Sequence, residues 1–275
     1  RSPSRGLGDV YKRQLQDDPS LEDIGLLIFD EFHERSLDAD LGLALALQGR
    51  ELFGDLREQP LKLMLMSATL DGERMSELLN DAAVVRSHGK MFPVAVNYGA
   101  PYEYGERIVP RLVQAVLQAL EDETGSLLVF LPGQGEIRQA HQQLKERLES
   151  RSDILLAPLF GDLSLSEQRR AIAPCEPGLR KIVLATSIAE TSLTIDGVRV
   201  VIDSGLSRLP AFDPNTGMTR LHTQRLSKAS ATQRMGRAGR LESGVCYRLW
   251  SQTQQDELRA FTPPEIQQAD LAPLV

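Results

Sequence analysis

Apolar residues in the first hundred positions form two short runs separated by a helical pattern. Residues 24–29 are a continuous apolar run, residues 61–66 are apolar except for Lys62, and residues 37–47 repeat apolar positions at helical spacing. Continuous runs of this length are typical of buried parallel strands. The pattern predicts a β-α-β unit whose strands end at Asp30-Glu31 and at Ser67-Ala68-Thr69.

A second alternation of strands and helices starts near residue 100. A strand over residues 92–98 precedes Gly99, Pro101 and Gly105, which we interpret as the end of one domain and a connector to the next. Helices are then predicted at residues 106–121, 136–149 and 166–173, and strands at 127–131, 154–159, 181–185 and 198–203. Such alternation predicts a second parallel sheet.

The alternation stops between residues 209 and 226. Turn-forming residues 213–217 lie there between two short extended arms, which predicts a protruding β-hairpin. Residues 263–275 begin a further region. The predicted fold class is α/β, with two parallel-sheet lobes and a hairpin in the second.

The composition is that of a globular protein. Of 275 residues, 41% are hydrophobic and 25% charged, and this length favours two domains over one. No apolar run approaches the roughly 20 residues of a membrane helix. Cys175 and Cys246 have no partner at metal-ligand spacing, which favours buried free thiols. We predict a soluble, cytoplasmic protein with no membrane partner.

Charge is unevenly distributed along the chain. The formal net charge is −7, yet residues 204–250 contain eight Lys or Arg against two acidic residues. A local basic surface can neutralise phosphates on an acidic protein. The charge pattern is therefore compatible with a nucleic-acid partner, although a solvated charged face gives the same pattern.

Residues 1–14 fit no element. They have no initiator methionine, no apolar periodicity and no signal-peptide core. We expect a non-native segment here, with a native basic arm as the alternative.

Asp30, Glu31 and His33 are the first candidate chemical group. In NTP-hydrolysing enzymes an aspartate at a strand tip holds the Mg²⁺ that bridges the phosphates, and a neighbouring carboxylate can activate the attacking water. Asp30 suits the first role and Glu31 the second. We assign His33 a coupling role. Ser67 and Thr69 end the next strand, where their hydroxyls can bond these carboxylates and respond when phosphate leaves.

Residues 233–240 carry the most specific pattern, Gln-Arg-Met-Gly-Arg-Ala-Gly-Arg. Arg237 and Arg240 are three apart on a predicted helix, so both guanidinium groups can reach one face. Gly236 and Gly239 let another backbone approach. Arginines placed in this way can stabilise charge on a transferring phosphate, an effect of about 10³–10⁵ in rate. An exposed basic helix is the plainer alternative, but two glycines would weaken it without benefit.

Residues 186–197 are rich in hydroxyls and follow a buried strand. Thr186, Thr191 and Thr194 are among them, and Asp196 lies near the end. Short hydroxyls and free backbone N–H groups can hold sugar-phosphate without reading sequence. A capped loop before a helix is the structural alternative.

Taken together, these strings resemble the DEAH/DExH-box helicases, and most closely their bacterial HrpB branch. The resemblance covers residues 15–275. Asp30-Glu31-Phe32-His33 has Phe32 where DEAH proteins usually have alanine, which is similar to the HrpB branch. Residues 128–133 resemble the motif that opens the second lobe, and residues 209–226 the hairpin that separates or tracks strands.

The resemblance implies two RecA-like lobes, at residues 15–99 and 100–262, and the start of a winged-helix domain at 263–275. It places Asp196 near the nucleotide and has Gln233 bond His33 across the cleft. By the same resemblance the nucleic-acid contacts are Thr186, Thr191, Thr194, Pro132 and Gly133. The implied cofactors are ATP and Mg²⁺, and RNA is the implied partner.

No phosphate-binding G-x-x-x-x-G-K-[ST] sequence occurs in the chain. Our hypothesis is that the parent molecule is an ATP-dependent RNA helicase and that the 275-residue piece alone is at best a feeble ATPase. Two other readings are a nucleotide-independent RNA-binding module and a DNA translocase or nuclease subunit. Glu31 opposite Arg237 and Arg240 argues against a pure binder, which has no use for a water-activating carboxylate.

Overall fold

The computed structural model describes residues 18–272 except 19, 69–71, 88, 90, 104 and 191–194, and the side chain of Arg74. The described chain divides into two compact units. Unit 1 consists of the described residues up to 87 with 210–220 and 263–272, and unit 2 of those in 89–209 and 221–262.

Unit 1 contains the predicted β-α-β unit, but its strands are not buried as predicted, since Leu26, Ile28 and Met64 are exposed. Strand β1 (Leu26–Phe29) pairs in parallel with β2 (Lys62–Leu65), and helix α1 (Leu37–Phe53) connects them. A 3-10 turn (Phe32–Glu34) precedes α1, a second (Gly54–Leu56) follows it, and helix α2 (Gly72–Leu78) follows β2. Leu21, Ala46 and Leu61 form the buried centre.

Helix α1 receives two caps at its N-terminus, where backbone N–H groups have no partner within the helix. The Ser36 hydroxyl accepts from the N–H of Ala39 at 3.2 Å, and Glu265 Oε2 accepts from the N–H of Leu37 at 2.9 Å. Glu265 also donates its own N–H to the carbonyl of Arg35. The 3-10 turn Glu265–Gln267 is thereby fixed to the start of α1.

Unit 2 is built on a parallel sheet of six strands in the order β3-β10-β7-β4-β6-β5. The strands are β3 (Val94–Tyr98), β4 (Ser126–Phe130), β5 (Ile154–Leu159), β6 (Arg180–Ala185), β7 (Val198–Asp203) and β10 (Gly244–Arg248). The helices are α3 (Ile108–Asp122), α4 (Gln134–Arg147), α5 (Leu165–Ile172), α6 (Lys228–Gly236) and α7 (Gln252–Asp256). The predicted second parallel sheet is confirmed.

Both faces of this sheet are covered. Along β4, Leu127 and Val129 belong to one buried cluster and Leu128 and Phe130 to another. Alternate residues of a strand point to opposite faces, so a strand buried on both sides needs a continuous apolar run. This explains why the central strands were recognisable from sequence.

The assignment of strand β3 is corrected by the structure. The sequence placed this strand at the end of the first lobe, but it pairs with β10, from Val94 opposite Gly244 to Tyr98 opposite Arg248. Local periodicity identifies a strand but not its partner, and here the partner comes about 150 residues later in the chain.

The predicted hairpin is present as β8 (Leu206–Asp213) and β9 (Met218–Arg225). Asp213 shapes its turn, because Oδ1 accepts from the N–H of Asn215 at 2.9 Å and Oδ2 from the hydroxyl of Thr216 at 3.0 Å. These hydrogen bonds, first the backbone one from Asn215, lower the pKa of Asp213. Gly217 closes the turn with φ of 64°.

Candidate functional site

In unit 1, Asp30 and Glu31 directly follow β1, as predicted. Asp30 Oδ1 accepts from the N–H of Glu31 at 2.8 Å, and Glu31 adopts a left-handed backbone with φ of 49°. This conformation is uncommon for residues other than glycine and costs energy, and such strain clusters at functional sites. It ends the strand and starts the 3-10 turn that carries His33.

His33 joins the end of β1 to the end of β2. Its Nδ1 accepts from the backbone N–H of Ala68 at 3.4 Å and lies 3.5 Å from Glu31 Oε2. The N–H of Phe32 also donates to the carbonyl of Met66 at 3.0 Å. The hydroxyls of Ser67 and Thr69 were expected to bond the carboxylates of Asp30 and Glu31. For Ser67 this contact stays a prediction, and Thr69 lies outside the described residues.

Phe32 is packed into the interior of unit 1. Its side chain is 2% exposed and meets the ring of Phe29 edge-on at 6.2 Å. The guanidinium of Arg35 lies 5.6 Å from the ring centre and is held by Asp40 at 2.8 Å. Phe32, which stands where DEAH proteins usually have alanine, therefore anchors the turn between Glu31 and α1.

The donor set fits Mg²⁺ better than a protein-caged metal. Among the described residues, no group of three or more His, Cys, Asp or Glu could enclose an ion. Mg²⁺ is usually held by one or two carboxylates together with waters and substrate phosphates. Asp30 is exposed at a strand end and offers one such carboxylate.

In unit 2, several candidate residues lie at the carboxyl ends of the parallel strands, where open α/β sheets bind ligands. Backbone bonds continue beyond the strands and hold these ends together. Leu131 donates to Ala185 at 2.8 Å, Thr186 to Leu159 at 3.2 Å, and Ser204 to Phe130 at 3.2 Å. Pro132, Gly133 and Thr186 therefore share one edge of the sheet.

Gly133 faces the side chain of Arg208, which sequence reasoning had not assigned to the site. A side chain at Gly133 would collide with the guanidinium of Arg208, which pairs with Glu136 at 2.8 Å and donates to the hydroxyl of Thr223 at 3.2 Å. A cavity of about 710 Å³ adjoins this group and is lined in part by Pro132, Glu136, Leu206 and Thr223.

The Gln233–Arg240 string is helical only in its first half. Helix α6 ends at Gly236 and a 3-10 turn covers Arg237–Gly239. The predicted continuous helix is therefore corrected to a helix and a 3-10 turn, and Arg240 follows the turn. Arg237 and Arg240 also lie in different surroundings. Arg237 is 7% exposed and donates through Nε to the carbonyl of Glu190 at 2.9 Å, whereas Arg240 is exposed and Gln233 half-buried.

Close approach of a second backbone at Gly239 is confirmed. A Cβ on Gly239 would lie 2.6 Å from the carbonyl oxygen of Phe92, and Phe92 donates its N–H to the Gly239 carbonyl at 2.9 Å. At Gly236 the neighbour is instead the end of the Met91 side chain, at 2.9 Å. Gly239 is thus required for the string to pack beside the start of β3.

The hydroxyl-rich segment begins with Thr186 and a 3-10 turn, Ser187–Ala189. Thr186 is half-buried and Asp196 is exposed before Gly197, whose φ is 74°. Thr191 and Thr194 lie outside the described residues. The roles of Asp196 and of the threonines therefore stay predictions.

Sequence reasoning missed three buried charged residues, of which Glu190 binds Arg237. Arg234, Glu190 and Asp203 form buried ion pairs. Asp203 had a usable signal, since it follows an apolar strand just as Asp30 does. Arg234 and Glu190 had none, because each belongs to a short polar segment whose burial depends on distant elements.

Residues 109–242 match the family described as "Helicase conserved C-terminal domain". The chain is 51% identical to the ATP-dependent RNA helicase HrpB of Escherichia coli (strain K12) over 97% of its length, covering 32% of that protein. It is 39% identical to the Probable ATP-dependent RNA helicase DHX34 of Mus musculus over 96% of its length, covering 23% of that protein.

A solved structure gives the same result. The crystal structure of E. coli DExH-box NTPase HrpB matches 96% of this chain and 32% of that chain, with 50% identity and a TM-score of 0.86. The chain thus spans about a third of the length of HrpB, or less in the case of DHX34. Within the described residues, no helix combines the length and apolar character needed to cross a membrane.

The six-stranded parallel sheet and these matches identify a RecA-like α/β lobe that is similar to the C-terminal lobe of helicases. More particularly, the resemblance to the HrpB-type DEAH/DExH-box helicases is confirmed by identity across nearly the whole chain.

Proposed function

We propose that this chain carries motor residues of an ATP-dependent RNA helicase, which couples ATP hydrolysis to movement along nucleic acid and to its unwinding. The observation that carries the proposal is the Asp30-Glu31 pair at the end of β1, tied through His33 to Ala68 at the end of β2. A site that hydrolyses a nucleotide needs such a link if loss of phosphate is to be transmitted to a neighbouring strand. Relatives named ATP-dependent RNA helicases support it.

In the proposed mechanism Asp30 would hold Mg²⁺, and Glu31 would orient the attacking water and accept its proton. Mg²⁺ bound with ATP would offset the charge that develops on the phosphates. Ser67 and Thr69 respond to release of phosphate, and His33 passes this change on. We further propose that Gln233 bonds His33 during the cycle.

In unit 2 we propose that Arg237 and Arg240 stabilise charge on the transferring phosphate and that Asp196 lies near the nucleotide. The segment that follows β6 and the loop that follows β4 would hold the RNA backbone without reading its sequence. The residues proposed for this contact are Thr186, Thr191, Thr194, Pro132 and Gly133.

We also propose a domain assignment and a location. The described part of residues 15–87 belongs to the first RecA-like lobe, the second lobe starts at β3 and ends near residue 262, and residues 263–275 begin a winged-helix region. The two free thiols, Cys175 and buried Cys246, are compatible with the reducing cytoplasm.

ATP hydrolysis with and without single-stranded RNA tests the proposal. The assay should compare this 275-residue chain with the full-length protein that carries it, since the phosphate-binding loop sequence is absent here. We expect RNA-stimulated hydrolysis from the full-length protein and little from the chain. If neither hydrolyses ATP but both bind RNA, the motor function is wrong and an RNA-binding module replaces it.

Strand displacement on matched RNA and DNA duplexes tests the substrate. We expect ATP-dependent displacement of RNA strands. Displacement of DNA alone would identify a DNA translocase and would overturn the RNA assignment while leaving the motor residues in place.

A further inference from the structure

Arg234 is the most deeply buried positively charged side chain described in unit 2, at 1% exposure. Its guanidinium donates to Glu190 Oε2 at 3.1 Å, to Asp203 Oδ1 at 2.9 Å and to the carbonyl of Leu206 at 3.2 Å. It also lies 4.8 Å from the centre of the Phe130 ring. One side chain of α6 thus contacts the ends of β4 and β7, the start of the hairpin, and the segment after β6.

A buried guanidinium is costly unless it is paired and hydrogen-bonded. Burial lowers the pKa of Arg234, but the charges of Asp203 and Glu190 outweigh this effect, and the pKa is raised overall. Arg234 therefore stays charged. Removing either carboxylate would leave the buried charge of Arg234 with a single acidic partner. The ion pair with Arg234 therefore holds the Glu190 side chain in place.

Glu190 is bonded through both its side chain and its backbone. The carboxylate accepts from Arg234 and from the hydroxyl of Ser230. The backbone carbonyl accepts from Nε and Nη2 of Arg237. Arg234 therefore holds the carboxylate of Glu190, the same residue whose backbone carbonyl binds the guanidinium of Arg237.

Glu190 also ends the turn that begins the hydroxyl-rich segment. Its N–H donates to the carbonyl of Ser187 at 2.9 Å, and Thr186 lies just before this turn. A shift of residues 186–190 would move the Glu190 carbonyl and with it Arg237. A displacement of a catalytic group by about 1 Å can change a rate by on the order of 10².

We infer that Glu190 is a positioning residue, which sets the orientation of Arg237 through its backbone carbonyl and so links RNA contact at Thr186 to hydrolysis. The inference rests on the proposed function. Arg234 and Ser230 act through Glu190 by anchoring its carboxylate. None of the three needs to touch ATP or RNA.

Steady-state kinetics of Glu190→Gln in the full-length protein tests this role, because the amide keeps the size of the side chain and removes its charge. We expect kcat of RNA-stimulated hydrolysis to fall about tenfold or more, with KM for ATP and the RNA dissociation constant at fixed salt changed less than about twofold. If Glu190 were purely structural, its substitution would reduce the fraction of folded protein. The apparent kcat and the amount of RNA bound would then fall together.

Ser230→Ala is a second variant in case Glu190→Gln fails to fold. It removes one hydrogen bond to the Glu190 carboxylate and should lower kcat by a smaller factor with the same unchanged KM. Thr232→Ala is the matched control on α6, since the Thr232 hydroxyl is exposed and donates only to the Lys228 carbonyl. Wild-type kcat in Ser230→Ala and Glu190→Gln would overturn the inference.

A second readout separates this inference from the proposed function. The Nε–Hε NMR signal of Arg237 should shift when a polyuridine oligonucleotide is added to the 275-residue chain, and the shift should be lost in Glu190→Gln. No shift on RNA binding would overturn the link even if ATP is hydrolysed. A shift in the chain together with no hydrolysis by the full-length protein would preserve the link and reject the motor.

Discussion

Ala68 donates its backbone N–H to Nδ1 of His33 at 3.4 Å, although the two residues are 35 positions apart in the sequence. His33 thereby connects the 3-10 turn that follows β1 to the residues at the end of β2.

Replacing His33 tests the acceptor at Nδ1. We expect His33→Ala to lower the free energy of unfolding by about 1 kcal/mol, because the Ala68 N–H loses its acceptor. Urea unfolding of the chain measures the change. His33→Asn retains an acceptor oxygen near the same position and should cost less. Equal losses in both variants would show that ring packing, not the hydrogen bond, is what His33 supplies.

Glu31→Gln in the full-length protein should leave ATP affinity nearly unchanged and lower single-turnover hydrolysis by about 10²–10⁴, because an amide cannot accept the proton from water. Glu34→Gln, an acidic residue of the same 3-10 turn, is the control and should hydrolyse ATP normally. Turnover retained in Glu31→Gln would reject the water-activating role.

Arg237→Ala should lower hydrolysis by about 10³ or more with little loss of RNA affinity at fixed salt. Arg237→Lys should also be impaired, since a lysine cannot reproduce the two-nitrogen contact with the Glu190 carbonyl. Arg220→Ala, an exposed hairpin arginine, is the control for general loss of positive charge. Proportional losses of hydrolysis and RNA binding in Arg237→Ala would mark it as a simple phosphate contact.

Gly239→Ala should lower the free energy of unfolding by about 1–3 kcal/mol, because its Cβ would press on the Phe92 carbonyl and force the backbone apart. The matched control is Gly135→Ala in α4, where nothing lies within 4 Å and alanine should stabilise the helix by up to about 1 kcal/mol. Thermal or urea unfolding compares the two. Similar free energies of unfolding in the two variants would mean that the start of β3 moves away from a Cβ at residue 239 at little cost.

Burial raises the pKa of the Cys246 thiol to about 12, and the nearby charge of Asp203 adds to this effect. Because an unfolded cysteine ionises near roughly 8.5, the stability from this thiol is fully present below that pH and is lost as pH rises toward about 12. At mildly alkaline pH a thiol reagent should label half-buried Cys175 in the folded chain and Cys246 only after unfolding. Equal labelling rates in the folded chain would contradict this assignment.

The elements that sequence predicted well are those whose signal is local. The β-α-β unit and the Asp213 turn are encoded by periodicity and turn chemistry within a few residues. The partner of β3 was missed because β10 supplies it from far along the chain. Arg234 was missed because its burial needs Phe130, Glu190 and Asp203, which come from three separate segments.

The left-handed backbone at Glu31 has a consequence for how the sequence can change. An ordinary residue in this region carries a penalty of roughly 1–2 kcal/mol, which glycine avoids. Glu31→Gly would therefore relax the chain while removing the carboxylate proposed to activate water. At this position, selection for a more stable protein and selection for a faster one favour different residues.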